Sequence, residues 1–259
     1  DHYKFLHSTG TYGAVGTAAG VGRIFGLSRE ELNNALSVAD FHAPLTPVMR
    51  AVGYPSMNKD GVPFGALMGA MAVLETQAGT TGKTYTLELE EYQPLLDTLG
   101  SVYEIMNLYF KPFTCCRWAH QPIQAWLDMK EAQGLTGGDI DKVTVHTFES
   151  ASRLSKIVPH RADEAQYNIA WPVAAALVHG CLGYRQVTEE ALDDPAVLDM
   201  MKRLEFVVDP EMDAQFPEKR LAWIEVSLKD GRTLKSRPYA APGEASDHVS
   251  LEWLSQKFV

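Results

Sequence analysis

The chain has 259 residues, a net charge of −10, a hydrophobic fraction of 46% and a charged fraction of 22%, the profile of one large or two ordinary soluble domains. Its 33 acidic and 23 basic residues form no basic run, which argues against a nucleic-acid surface, and no apolar run approaches the roughly 20 residues of a membrane helix. Three cysteines, an odd number, make no disulfide framework, so a reducing cytoplasm is the expected compartment.

The opening DHYKFLHSTGTYG (1–13) is polar and aromatic and has no signal-peptide pattern. GTYGAVGTAAGVGRIFGL (10–27) sets Ala, Val, Ile and Phe among Gly13, Gly16, Gly20, Gly22 and Gly26. Each Gly disfavours a helix by about 1 kcal/mol, so a helix here needs closely approaching neighbours. LSREELNNALSVADFHA (27–43) is amphipathic, with Ser28 as cap, Glu31 at the capping-box position, and Leu32, Leu36 and Ala39 on one face. DGVPFGALMGAMAVLETQAG (60–79) is apolar almost all round, which predicts a buried helix stopped by Gly79.

Near residue 100 the pattern changes. YEIMNLYFKPF (103–113) alternates like a strand ending at Pro112, and RWAHQPIQAWLDMKEAQG (117–134) reads as a helix with Pro122 in its first turn. IDKVTVHTFES (140–150) predicts a half-buried strand, and EAQYNIAWPVAAALVHG (164–180) a helix interrupted by Pro172. PAVLDMMKRLEFVVD (195–209) reads as helix then strand. LAWIEVSLKDGRTLKSRPY (221–239) is a hairpin turning through Asp230-Gly231. The expected fold class is α+β: an all-helical part over 1–104, then a mixed α+β domain over 105–240 containing the hairpin. There is no initiator Met, and DHVSLEWLSQKFV (247–259) looks like a helix just begun, so further sequence is expected on both sides.

KPFTCCRWAH (111–120) is the densest chemical stretch, holding Lys111, Cys115, Cys116, Arg117 and His120. Three readings compete. Structural zinc needs Cys pairs two to four residues apart and a second pair, whereas Cys115 and Cys116 are adjacent and Cys181 is isolated, so no metal is expected. A reactive thiolate needs a depressed pKa, which Lys111, Arg117 and His120 could supply, although a small buried Cys is the simpler account. An anion site fits better, because a helix starting near Arg117 would aim its amides at the end of the preceding segment, with Lys111 and His120 beside them. A solvated Lys and a capping His remain the plain alternative.

KPFTCCRWAHQPIQA is similar to the Lys-Pro-aromatic-x-x-Cys-Arg-aromatic-x-His segment of the MmgE/PrpD family. That family includes 2-methylcitrate dehydratase, cis-aconitate decarboxylase and iminodisuccinate epimerase. FLHSTGTYGAVGTAAGVGRIFGLSREELNNAL, SMNKDGVPFGALMGAMAVL, EAQYNIAWPVAAALVHG and VSLKDGRTLKSRPYAAPGEASDHVSLEWLSQKF resemble further family segments in the right order. The resemblance implies an all-helical domain (1–104) interrupted by the α+β domain (105–240), with residues 241–259 returning to the first and an active site between the two. It implies no cofactor. It also implies a homodimer, or a complementary chain supplying the helical half upstream of Asp1.

Carried over residue by residue, the resemblance makes His7 and His120 catalytic, and Lys59, Lys111, Cys116 and Trp171 substrate-binding. Some relatives carry His where this chain has Cys116, and Tyr is more usual at Trp171. DGVPFG after Lys59 departs from a His-Pro-Gly-like turn. The implied activity is a cofactor-independent lyase, a hydratase or dehydratase of a small di- or tricarboxylic acid such as 2-methylcitrate. Epimerisation, decarboxylation or a partner-dependent, non-catalytic role remain alternatives. Without metal, Lys59 and Lys111 would hold carboxylates and stabilise carbanion-like charge, while His7 or His120 moves the proton. Activity should survive EDTA; loss with chelator and recovery with zinc or iron would contradict this. The chain alone should show no turnover, and the outer faces of the helices over 10–27 and 60–79 should be uncovered.

Overall fold

The computed structural model describes residues 10–58 and 60–257. The chain divides into two compact units, residues 1–51 with 57–104, and residues 52–56 with 105–259. The fold class is α+β, with one unit helical and the other carrying a mixed sheet.

Three helices organise the first unit: α1 (Thr11–Ile24), α2 (Arg29–His42) and α3 (Val62–Gln77). The capping box of α2 forms as its sequence predicts. The Ser28 hydroxyl accepts from Glu31 N at 3.2 Å, and the Glu31 carboxylate accepts from Ser28 N at 2.8 Å. Ala14, Ala18, Ala35, Val38, Ala39, Ala72 and Val73 make the core. Such small side chains require the backbones to approach closely, and the glycines permit it. A Cβ on Gly69 would collide with the Ala14 carbonyl and lie 2.8 Å from Thr17 Cβ. The same helix pair also tests the point: Gly69→Val should destabilise the unit by about 2–3 kcal/mol through overpacking. Gly16→Ala, with nothing within 4 Å of its added methyl, should stabilise by up to about 1 kcal/mol. Denaturant midpoints check both signs; a silent Gly69→Val would contradict the packing.

α3 differs from its sequence expectation. Gly65, Gly69, Ala72 and Val73 are buried, but Phe64 is 59% and Leu67 53% exposed, so only one face is covered among the described residues. The uniform apolarity that predicted full burial is shared between an inner stripe of small residues and an outer stripe of large ones.

The second unit is built on a mixed sheet. Its strands are β1 (Ile140–Thr147), β2 (Leu204–Val208), β3 (Leu221–Leu228), β4 (Thr233–Lys235) and β5 (Tyr239–Ala240). The order is β2-β1-β3-β4, with β5 also pairing β3. β2 runs parallel to β1, Val145 opposite Phe206, and β3 antiparallel, Val145 opposite Ile224. Period-2 alternation puts Val143 and Val145 on the covered face with Ala222, Ile224 and Val226, and a register shift between Ile140 and Lys142 returns the buried Ile140 to that face. Helix α4 (His120–Gln133) packs on β3, and Ile123 and Trp126 on it are fully buried. The β3–β4 turn runs through Gly231 at φ +89°, a conformation that favours glycine.

Two local expectations are corrected. The segment 103–113 is not a strand: a 3-10 turn covers Glu104–Asn107 and the chain beyond it is irregular up to Arg117. Its alternation has no ladder to join. Phe110 N makes one bond, to Gly243 O at 2.8 Å, and the Arg117 guanidinium takes the Phe110 carbonyl. Residues 164–180 form two helices, α5 (Ala162–Gln166) and α6 (Ala170–His179), and the break falls at 167–169, ahead of Pro172. Pro172 sits in the first turn of α6, where its missing N–H costs nothing. The Asn168 side chain accepts from Trp171 N at 2.9 Å and starts the helix there.

Candidate functional site

The stretch 109–120 enters α4 through a tight, buried turn. Cys115 N donates to Phe113 O at 3.0 Å and Cys116 N to Gln166 O at 2.7 Å, which ties the turn to the end of α5. A 3-10 turn over Arg117–Ala119 then leads into α4. Arg117 is 4% exposed. Its Nη1 donates to the carbonyls of Phe110 (3.3 Å) and Pro242 (3.1 Å), and its Nη2 to the Ala241 carbonyl (3.2 Å) and the Glu244 carboxylate (2.6 Å). The guanidinium also lies 3.9 Å from the Tyr109 ring centroid. This fork stitches 241–244 to 109–110 and fixes the backbone on which Lys111 stands.

His120, the first residue of α4, is fully buried. Its ring meets the Phe113 ring edge-on, with centroids 5.1 Å apart. Nε2 lies 3.4 Å from the Cys115 carbonyl, which can only accept, so the neutral ring carries its proton on Nε2. Nδ1 is then a lone pair with no partner among the described residues, and the buried Oε1 of the next residue, Gln121, has none among them either. Burial, then the Arg117 charge, pushes the His120 pKa down to about 3, with Lys111 and Lys257 adding in the same direction and the Cys115 bond opposing. The imidazole is therefore neutral at pH 7. An unfolded histidine titrates near 6.5. Between these two values the unfolded chain binds one more proton than the folded one, so stability rises with pH. The stabilisation is complete above about 6.5 and is lost progressively as pH falls towards 3; at pH 5 about 2 kcal/mol has gone. His120→Asn should flatten the stability–pH curve between 6.5 and 5 relative to the parent. Equal slopes would contradict a buried neutral imidazole.

Burial also pushes the Cys115 thiol well above its ordinary value, reinforced by Cys116 and opposed by Lys111. Desolvation outweighs the neighbouring cation, so Cys115 carries no thiolate at neutral pH. Cys116, also buried, lies just ahead of the 3-10 turn. Lys111 is partly exposed, and its carbonyl accepts from Lys257 Nζ at 2.6 Å. Lys111, Cys116 and His120 thus lie on one ten-residue segment, and the Lys111 charge reaches the His120 ring. Trp171 is fully buried, its Nε1 committed to Gln186 O at 2.8 Å. It has no polar atom left to offer a ligand, so any contribution from it is steric. His7 and Lys59 lie outside the described residues. Among the described residues no three His, Cys, Asp or Glu side chains are grouped to hold a metal ion, and no helix is long and apolar enough to cross a membrane. Sequence reading missed Glu244 and Lys257, which lie more than a hundred residues from the motif and carry no local signal.

The sequence matches the MmgE/PrpD N-terminal domain over residues 1–94 and the MmgE/PrpD C-terminal domain over residues 113–259. It is 23% identical to cis-aconitate decarboxylase of Homo sapiens over 275 residues, covering 100% of this chain and 56% of that protein. It is 26% identical to 2-methylcitrate dehydratase of Salmonella typhimurium over 239 residues, 84% of this chain and 49% of that one. Over 107 residues it is 32% identical to the mitochondrial 2-methylcitrate dehydratase of Yarrowia lipolytica, 39% and 21% of the two chains. The chain spans about half the length of the first two of these relatives.

Proposed function

The chain belongs to the MmgE/PrpD family, and from that premise we propose that it takes part in cofactor-independent lyase chemistry, the hydration or dehydration of a small di- or tricarboxylic acid such as 2-methylcitrate. The observation that carries the reading is a neutral, buried His120 whose Nδ1 lone pair has no partner among the described residues, within electrostatic reach of a cation, Lys111. A carboxylate of the substrate would pair with Lys111. Its negative charge would offset the positive field of Arg117, Lys111 and Lys257 that adds to burial in holding the His120 pKa down, so substrate binding would raise the proton affinity of Nδ1. In dehydration, a proton leaves the carbon next to a carboxylate and hydroxide leaves the neighbouring carbon. One group must accept the first and another protonate the second. His120 suits the acceptor, and His7 is the proposed donor. Lys111, with Lys59, would stabilise the negative charge that develops on the carboxylate. Cys116 and Trp171 would shape the wall of the site.

Decarboxylation is the second reading. It is favoured by the match to a cis-aconitate decarboxylase, which runs the length of this chain. The same cations serve it, since breaking the carbon–carboxylate bond leaves a carbanion for them to stabilise. As for assembly, we propose a homodimer, or pairing with a complementary chain.

The test is to incubate the chain with 2-methylcitrate, citrate and cis-aconitate, following double-bond absorbance and carbon dioxide release, with equilibrium binding in parallel. A new double bond supports dehydration, and carbon dioxide supports the second reading. Saturable binding without turnover supports a chain that needs a partner. Neither binding nor turnover with any of the three would overturn the proposal.

A further inference from the structure

Lys257 follows α7 (Leu251–Gln256), 146 residues beyond Lys111, yet its Nζ donates to the Lys111 carbonyl at 2.6 Å. The helix that delivers it is held at its start by Ser250, whose hydroxyl accepts from Trp253 N at 3.1 Å. The Gly243 carbonyl accepts from Phe110 N at 2.8 Å, so the segment leading to α7 is fastened beside the Lys111 segment at a second point. Arg117, the third cation of the region, is matched by Glu244. Neither Lys111 nor Lys257 has a described carboxylate within 4.0 Å. A chain of net charge −10 thus brings together two lysines with no described carboxylate partner.

Resting on the carboxylate reading above, we infer that Lys257 is a second substrate-binding cation, which with Lys111 forms a two-cation cradle for a substrate bearing at least two carboxylates. An ammonium has three donors. One is spent on the Lys111 carbonyl, which orients the group, and the other two are free for a carboxylate. A ligand bridging the two lysines would make charge-assisted bonds to both. The charges of both lysines also reach the buried His120 ring, so a dianion seated on them lies within electrostatic range of the proposed base.

The experiment is calorimetric binding of citrate to the 259-residue chain and its variants at two salt concentrations. Lys257→Gln keeps an N–H donor for the Lys111 carbonyl but removes the charge, whereas Lys257→Arg keeps the charge. The expected result is that Lys257→Gln binds citrate about tenfold more weakly with a shallower salt dependence, while Lys257→Arg stays within about twofold of the parent. If Lys257→Gln binds like the parent while Lys111→Ala is weakened, Lys257 is only a tether; this inference falls and the proposed function stands. If Lys257→Arg is as weak as Lys257→Gln, charge is not its contribution and the inference likewise falls. If the parent binds no citrate and no 2-methylcitrate, the carboxylate reading falls and takes this inference with it.

Discussion

Arg117→Ala should lower the stability of the second unit by about 3 kcal/mol, the low end of the cost of breaking a buried ion pair. Three backbone carbonyls, of Phe110, Ala241 and Pro242, lose their donors at once. Glu244 loses its partner too, but its side chain is 40% exposed and can turn to water, which keeps the cost from reaching the upper end. At roughly 2–4 °C per kcal/mol for a domain of this size, the melting temperature should fall by about 6–12 °C. Arg117→Lys keeps the charge but not the fork, and should fall between the two. Glu244→Gln keeps a carbonyl acceptor at the carboxylate position and should cost about 1 kcal/mol. An Arg117→Ala protein melting within about 1 °C of the parent would mean that the fork does not hold these segments together.

What was legible in the sequence is what is decided locally. The Ser28–Glu31 capping box, the alternation of 142–147 and the Asp230-Gly231 turn each lie within a few residues, and each forms. The segment 103–113 carried a strand-like alternation, but strands need partners. Its carbonyl at Phe110 was claimed by Arg117, which also reaches 241 and 242 across more than 120 residues. By sequence the break in 164–180 belongs at Pro172, the obvious helix breaker. It was set instead by Asn168, whose side chain competes for the Trp171 amide. The exposed side of α3 could not be read from its composition, because small and large apolar residues look alike in a hydrophobic count but separate on the helix surface. The candidate site follows the same rule. Lys111, Cys116 and His120 fall within ten residues and were visible as a group. The neutrality of His120 depends on the burial that tertiary packing creates, and Lys257 is brought in by a helix far along the chain.

Lys111→Ala should abolish most carboxylate binding while leaving the fold intact. Lys111 is partly exposed, and its side chain makes no described hydrogen bond or ion pair within the protein, so removing it leaves no buried group stranded. A charge-assisted hydrogen bond to a carboxylate contributes about 1.5–3 kcal/mol, and the upper part of that range corresponds to roughly a hundredfold in affinity. The decisive measurement is equilibrium binding of 2-methylcitrate to the parent and to Lys111→Ala, with circular dichroism and melting temperature recorded on the same samples. The account predicts saturable binding by the parent, a loss of roughly a hundredfold in the variant, and superimposable melts. Binding of equal strength by two equally folded proteins would remove Lys111 from the site and contradict the account.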